Sequence, residues 1–314
     1  MNLSIVIPIY NEEENVVELH QRLKSVLDKM ENKYEIILVD DGSRDNTLSL
    51  LEDIQKNDNN VVVISLRRNF GQTAAFAAGF DHARGDVIIT MDGDLQNDPN
   101  DIPRLVAMMK DYDLVSGWRK NRQDKFLSRK LPSMIANKLI SKVTGVNLHD
   151  YGCSLKAYRS DVIKNLNLYG ELHRFIPAVA SWYGVRMAEI ETTHHPRLRG
   201  TSKYGISRTI RVVLDLITVK FLRSFSTKPL QFFGPFGLLS GFLGFLISAY
   251  LSVDKLVFGN DIGGRPLLLL GALLIMVGIQ FIGMGLLGEM MVRIYHEAQK
   301  KPIYVIKKVL GPEH

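Results

Sequence analysis

Val87-Ile88-Ile89-Thr90-Met91-Asp92-Gly93-Asp94-Leu95-Gln96 is the stretch on which the reading of this chain turns. Its first five residues are apolar or β-branched over a length that suits a buried strand. The two carboxylates would then emerge at the strand's C-terminal end, where open α/β sheets place their ligands. An Asp-x-Asp at such an edge, followed by the amide of Gln96, offers hard oxygen ligands to Mg²⁺ or Mn²⁺, with diphosphate oxygens completing the shell. Alone, Asp-Gly-Asp is also an ordinary solvated turn, so its meaning depends on what neighbouring segments bring to the same edge.

Upstream, Leu3 to Pro8 reads as a strand ended by proline, and Asn11 with three glutamates precedes a helical pattern through Val16, Val17, Leu19, Leu23 and Leu27. Tyr34 to Val39 is a second strand that ends in Asp40-Asp41-Gly42-Ser43, with a helix from near Thr47. Val61 to Leu66 is a third, Gln72 to His82 a helix, and Asp86 to Met91 the fourth strand. This alternation predicts a largely parallel sheet with helices on both faces. Successive strand ends bring Tyr10 and Glu12, then Asp40 and Asp41, then Arg67, Arg68 and Asn69, then Asp92, Asp94 and Gln96 to one edge. One acid there would be a helix cap or turn former; four consecutive polar ends point to a shared ligand site. So many acids exclude a bare anion, whereas a nucleotide diphosphate carrying a divalent metal fits. No Gly-x-Gly-x-x-Gly follows the first strand, and Asn69 to Gly79 matches neither that fingerprint nor a P-loop.

Composition sets the outer bounds. The 314 residues allow one large domain or two ordinary ones, and 46% hydrophobic with 23% charged residues is too apolar for disorder. Lys and Arg exceed Asp and Glu by 39 to 33, which suits phosphates, acidic headgroups or nucleic acid without choosing among them. The single cysteine, Cys153, permits no internal disulfide and reads as a small packed residue. His194 and His195 sit beside Pro196 without a third metal ligand at suitable spacing and read as supporting loop residues. Met1-Asn2-Leu3 runs straight into the strand pattern, without the charged region and cleavage site of a signal peptide.

The apolar residues are unevenly spread. Leu230 to Val253 is an uncharged run of 24 residues, roughly 36 Å as a helix. Pro266 to Gly288 is a second uncharged run, and the two predict a transmembrane hairpin with a polar connection from Asp254 to Arg265. Lys220, Arg223 and Lys228 flank it on one side and Arg293, Lys300, Lys301, Lys307 and Lys308 on the other, so both ends are expected on the cytoplasmic side. Ser207 to Phe225 places Ile210, Leu214, Ile217 and Phe221 at helical spacing among Arg208, Arg211, Lys220 and Arg223, as an interfacial amphipathic helix would. The expected domains are 1–205 catalytic, 206–228 interfacial, 229–291 transmembrane and 292–314 a cytoplasmic tail.

Ile7-Pro8-Ile9-Tyr10-Asn11-Glu12, Val39-Asp40-Asp41-Gly42-Ser43 and Asp92-Gly93-Asp94-Leu95-Gln96 resemble the signatures of family 2 glycosyltransferases of the GT-A fold. With the hairpin, the whole chain is similar to polyprenyl-phosphate glycosyltransferases, relatives of dolichyl-phosphate mannose synthase, and especially to their bacterial two-span branch. The resemblance implies a Rossmann-like α/β catalytic domain and a base and ribose pocket lined by Pro8, Tyr10, Glu12, Val39 and Asp41. It implies Asp92 and Gly93 at the ribose or diphosphate, and Asp94 and Gln96 on the metal. Arg119, in Gly117-Trp118-Arg119, and Arg129 match positions near the acceptor phosphate, and Arg197 and Lys203 a basic pair near the donor phosphates. Asp150 lies in a segment that the family places near the acceptor. It could orient a sugar hydroxyl, pair with Arg129 or cap a turn.

The implied reaction is metal-dependent, inverting transfer of a sugar from a nucleotide sugar to a polyprenyl phosphate at the membrane surface. UDP-glucose and undecaprenyl phosphate are the expected substrates, nucleic acid is not an expected partner, and the glycines of the hairpin would permit a homo-oligomer. A processive polysaccharide synthase, a non-catalytic nucleotide-sugar sensor on a membrane hairpin and a lipid transporter are the alternatives. The first would need further spans, and the last a polar pathway that two uncharged helices lack.

Overall fold

The computed structural model describes residues 1–120, 137, 140–141, 144–166, 168, 172–196, 229–262, 265–298 and 302–312. The chain forms two compact units, Met1–Val219 with Pro302–His314, and Lys220–Lys301.

In the first unit the apolar runs become β1 (Leu3–Ile9), β2 (Tyr34–Asp40), β3 (Val61–Leu66) and β4 (Val87–Thr90). Between them run α1 (Val16–Leu27), α2 (Thr47–Asn57) and α3 (Gln72–His82). The parallel ladders β1 with β2, β2 with β3 and β1 with β4 place β1 at the centre of the alternating half, as the sequence pattern predicts. These strands are apolar on both faces because helices cover both. Side chains alternate across the pleat: Ile5 and Ile7 join α1 and α2 in one core, and Val6 joins α3 in the other. Gly79 of α3 lies against β1 so closely that a Cβ there would fall 2.2 Å from Val6 Cγ1. That close approach is what requires glycine at this position.

Beyond β4 come α4 (Ile102–Met108), β5 (Leu114–Trp118), β6 (Lys156–Arg159), α5 (Ser160–Lys164), α6 (Ile176–Ala180) and β7 (Met187–Glu191). After the second unit, β8 (Ile306–Leu310) returns to the sheet. The order is β7-β5-β6-β4-β1-β2-β3-β8. β6 runs antiparallel to both β4 and β5, and β8 antiparallel to β3, while β5 and β7 pair in parallel, so the largely parallel sheet expected is also a mixed one. It is an α/β sheet of GT-A type, and two apolar helices follow it, as expected. The segment expected only as a tail supplies an edge strand. The reason is pairing: β3 has a free edge, and Ile306, Val309 and Leu310 lie in register with Leu66, Ile64 and Val63.

The second unit holds α7 (Pro229–Phe258) and α8 (Pro266–Ala298). Both are long and apolar enough to cross a membrane, over Leu230–Phe258 and Pro266–Gly288. They outrun the uncharged stretches: α7 continues through Asp254 and Lys255, shortening the connection. Within the pair, Ser240 Oγ donates to the Leu274 carbonyl at 2.8 Å, and Asp254 pairs with Arg265 beside the turn.

Candidate active site

The C-terminal ends of β1, β2, β3 and β4 share one edge, so the loops that follow them meet there. Asn11 adopts φ 51° at the end of β1. Its amide donates to Ser43 Oγ at 3.0 Å, and its side-chain oxygen accepts from Arg44 N at 2.8 Å. Glu12 N donates to Thr47 Oγ1 at 2.9 Å, and the Glu12 carboxylate accepts from Asn15 Nδ2 at 2.6 Å. These bonds fasten the Tyr10–Glu12 loop to the loop after β2. Pro8 and Val39 are neighbours across the β1–β2 ladder.

Asp40 and Asp41 divide their work. Asp40 turns inward and accepts from Ser43 N and Ser65 Oγ. Asp41 reaches across to the loop after β3, where its two oxygens accept from Phe70 N at 2.7 Å and Gly71 N at 2.9 Å. Burial pushes the Asp41 carboxyl above the usual carboxylate range, against the pull of those amides. Gly42, at φ 69°, lets the Arg68–Asn69 backbone pass where a Cβ would stand 2.5 Å from the Arg68 carbonyl carbon. Arg68 covers the Phe70 ring at 4.3 Å. Asp41 therefore works first as the clasp of the Arg67–Gly71 loop, a role that strand-end reasoning did not foresee.

At the end of β4, Asp92 accepts from Gln72 Nε2 at 2.8 Å. Burial raises the Asp92 carboxyl above its ordinary range, and the neighbouring Asp94 charge adds to the shift. Gly93 is buried where a Cβ would stand 2.6 Å from Ile9 Cδ1. Leu95 is held in the left-handed region at φ 60° with its side chain buried, a strained conformation that reverses the chain between Asp94 and Gln96. Asp94 Oδ1 accepts from Gln96 N at 3.3 Å, while the Gln96 carbonyl accepts from His195 N at 2.9 Å. His194 bridges Asn97, and His195 Nε2 lies 3.1 Å from Asp98 Oδ2. Both histidines thus brace the motif, as the sequence suggested. Among the described residues, no three His, Cys, Asp or Glu side chains converge as a metal cage. One carboxylate and an amide, Asp94 and Gln96, suit an ion that takes its other ligands from a diphosphate and water.

Farther along the edge, Arg119 follows β5. Its Nε and Nη2 donate to Asp150 Oδ2 and Oδ1 at 2.7 and 3.0 Å, a bidentate pair with little exposure on either side. Asp150 also accepts from Gly152 N at 3.1 Å. Of the three roles open to Asp150 the structure provides the turn cap, and it adds an ion pair with Arg119; the pairing with Arg129 falls outside the described residues. Lys156, fully buried in β6, donates to the carbonyls of Tyr151 and Cys153 and so ties down the turn that carries Asp150. Burial lowers the Lys156 ammonium pKa and raises that of the Cys153 thiol, leaving Cys153 a packed group rather than a nucleophile. Arg129, Arg197, Lys203 and the amphipathic segment 206–228 lie outside the described residues. Gln72 and Lys156 had no signal beyond a helix start and a lysine in a short run that the sequence did not mark as a strand.

The model of the glycosyl transferase family 2 domain matches residues 4–166. A dodecaprenyl-phosphate galacturonate synthase of Rhizobium johnstonii is 48% identical over 320 residues, covering 100% of this chain and 94% of that protein. The chain belongs to glycosyltransferase family 2. An undecaprenyl-phosphate 4-deoxy-4-formamido-L-arabinose transferase of Proteus mirabilis is 43% identical, covering 98% of the glycosyltransferase and 94% of its relative. These full-length relatives are polyprenyl-phosphate glycosyltransferases, the branch that the sequence resembles. Among solved structures, glucosyl-3-phosphoglycerate synthase from Mycobacterium tuberculosis in complex with Mn²⁺ and UDP-glucose superposes with a TM-score of 0.54. At 16% identity, over 71% of this glycosyltransferase and 78% of that chain, it shares the fold. Glycosyl transfer is accordingly the reaction class of this chain.

Proposed function

We propose that the protein transfers a uronic sugar, galacturonate first, from its UDP donor to undecaprenyl phosphate or a similar polyprenyl phosphate, with inversion at the anomeric carbon. The observation that carries the reaction is the meeting, at one sheet edge, of Asp92-Gly93-Asp94, the loop clasped by Asp41 and the buried Arg119–Asp150 pair. The sugar rests on the 48% identical relative, which is named for galacturonate. UDP-glucose, the donor expected from the sequence, has no counterpart in the two full-length relatives' names, and 4-deoxy-4-formamido-L-arabinose is the second candidate.

The chemistry asks little of a base. A phosphate monoester has a second pKa near 6 and is already an anionic nucleophile at neutral pH. The chain must bring that oxygen in line with the anomeric carbon and hold it against repulsion from the donor diphosphate. Pro8, Tyr10, Glu12 and Val39 would line the nucleoside pocket, with Asp41 setting the loop that closes it. Asp92 and Gly93 would meet the ribose or diphosphate, and Arg119, Arg129, Arg197 and Lys203 would supply positive charge for the two phosphate groups. Asp94 and Gln96 would hold Mg²⁺ or Mn²⁺, which when bound neutralises charge on the departing nucleoside diphosphate. The hairpin would anchor the protein to the bilayer, with the catalytic domain and both chain ends on the cytoplasmic side.

The test is transfer of labelled sugar into the lipid phase from UDP-galacturonate, UDP-glucose and UDP-4-deoxy-4-formamido-L-arabinose, with and without EDTA. Metal-dependent transfer from UDP-galacturonate is expected, reduced about 100-fold or more in Asp94→Ala. Transfer from a different donor alone would replace the sugar. No transfer from any nucleotide sugar, with nucleotide binding intact, would favour the sensor.

A further inference from the structure

The short turn Leu172–Phe175 is pinned to the core by Phe175 and Ile176, which are buried, and it leaves His173 and Arg174 half-buried beside the first turn of α3. His173 Nδ1 lies 2.8 Å from Thr73 Oγ1, and its ring packs near Phe76 at 6.3 Å between centroids. Arg174 Nε donates to His173 Nε2 at 3.3 Å. Because Nε2 accepts, the imidazole is neutral and carries its proton on Nδ1, which donates to Thr73. The residue before Thr73 is Gln72, whose amide donates to Asp92. Three hydrogen bonds and the Gln72–Thr73 peptide bond therefore connect the guanidinium to the central motif.

The arginine is oriented but not neutralised. Arg119, Arg104 and Arg186 each face a carboxylate, at Asp150, Asp101 and Asp113. Among the described residues Arg174 has no such partner, and with Nε engaged its two terminal nitrogens form an open fork. That fork matches a planar oxyanion. Linked to it through His173 and Thr73 are Gln72 and Asp92, an amide and a carboxylate, the groups that bind sugar hydroxyls.

We infer that Arg174 is a specificity-determining residue that binds the carboxylate of a uronic sugar donor. The inference rests on the donor reading above and deepens it. It accounts for how one fold could select an acidic sugar against a neutral sugar of the same shape: the neutral sugar would leave the guanidinium desolvated and unpaired. A phosphate of donor or acceptor is the other oxyanion that could fill the fork.

The experiment compares binding of UDP-galacturonate and UDP-galactose to the full-length protein in nanodiscs with Mn²⁺, in the parent, Arg174→Gln and Arg174→Lys. The parent should prefer the uronate, and Arg174→Gln should cut that preference roughly 10- to 100-fold. Arg174→Lys, which keeps the charge without the fork, should restore part of it. A parent without preference, or a preference that survives Arg174→Gln, would overturn the inference. So would equal loss of both donors, which would assign the guanidinium to a phosphate. Should Arg174→Gln not fold, the methyl ester of UDP-galacturonate against the parent asks the same question of the carboxylate alone. Binding is read without turnover, so a failure of transfer chemistry is distinguishable from a failure of recognition.

Discussion

Asp150 carries two obligations in a small space. It compensates the buried charge of Arg119 and it caps the turn at Gly152. A Cβ on Gly152 would press on Arg119 Nη2 at 3.1 Å, so the glycine leaves room for the guanidinium. Asp150→Ala should therefore strand a buried charge and cost about 3–5 kcal/mol, read as a lower unfolding midpoint. It should also cut kcat/KM roughly 100-fold if Arg119 holds the acceptor phosphate as proposed, because the displaced guanidinium would then misplace it. Replacing both partners, Arg119→Met with Asp150→Leu, should recover much of the stability and none of the activity. Activity that follows stability back would make the pair purely structural. Lys156 makes a separate prediction through pH. Its pKa is lowered in the fold, so between that value and the ordinary lysine value of about 10.4 the unfolded chain holds more protons and stability rises with pH. The stability of the parent relative to Lys156→Met should thus improve as pH is raised towards about 10.4. At this scale the sequence named Asp92, Asp94, Arg119 and Asp150 but not their partners, because a pairing over 31 residues leaves no local pattern.

The strands of the alternating half were legible because their apolar runs are long enough to be buried on both faces and end in polar loops. The antiparallel β6 was not: four residues, Lys156–Arg159, carry two cations and only reveal themselves as a strand between β4 and β5. β8 was hidden differently. Lys307 and Lys308 read as a basic flank, yet lysines are also what an edge strand uses to discourage further pairing. This strand has consequences for the site. Arg67, the first residue of the loop clasped by Asp41, donates its amide to the Val305 carbonyl at 2.9 Å. Just before it, Tyr304 is buried against the α3 core and donates to Asp81 Oδ2 at 2.7 Å. Deleting 302–314 should lower stability by at least about 2 kcal/mol through lost apolar burial and hydrogen bonds. UDP affinity should fall with it, measured by titration calorimetry. Tyr304→Phe, which keeps the ring, should cost only about 0.5–1.5 kcal/mol. Unchanged nucleotide affinity in the deletion would show that the loop holds its shape without the strand.

Across the whole chain, the return of β8 fixes a parity that charge counting only suggested. Residues 1–118 and 306–310 share one sheet, so the segment between them must leave and re-enter the same side of any membrane it crosses. Two spans satisfy that condition; one or three would tear the sheet. The pair is also built to stay together: Gly244 and Gly278 lie where added Cβ atoms would stand 2.6 and 2.7 Å from the carbonyls of Gly271 and Gly237. Such backbone proximity is how apolar helices associate where no hydrophobic gain is available. The chain offers a clean reporter of this topology, since its single native thiol, Cys153, is buried and its pKa raised by that burial. A cysteine introduced at Asn260, in the exposed turn between α7 and α8, should react with a membrane-impermeant maleimide added outside intact cells. One introduced at Pro312, exposed just beyond β8, should react only after the membrane is opened. Labelling at Pro312 alone from outside would reverse the orientation and place the catalytic domain away from cytoplasmic nucleotide sugars, and labelling of both would mean that the pair does not cross the membrane. Labelling of neither would mean that the apolar pair lies within the protein or at the surface of the bilayer, and the hairpin reading would fall.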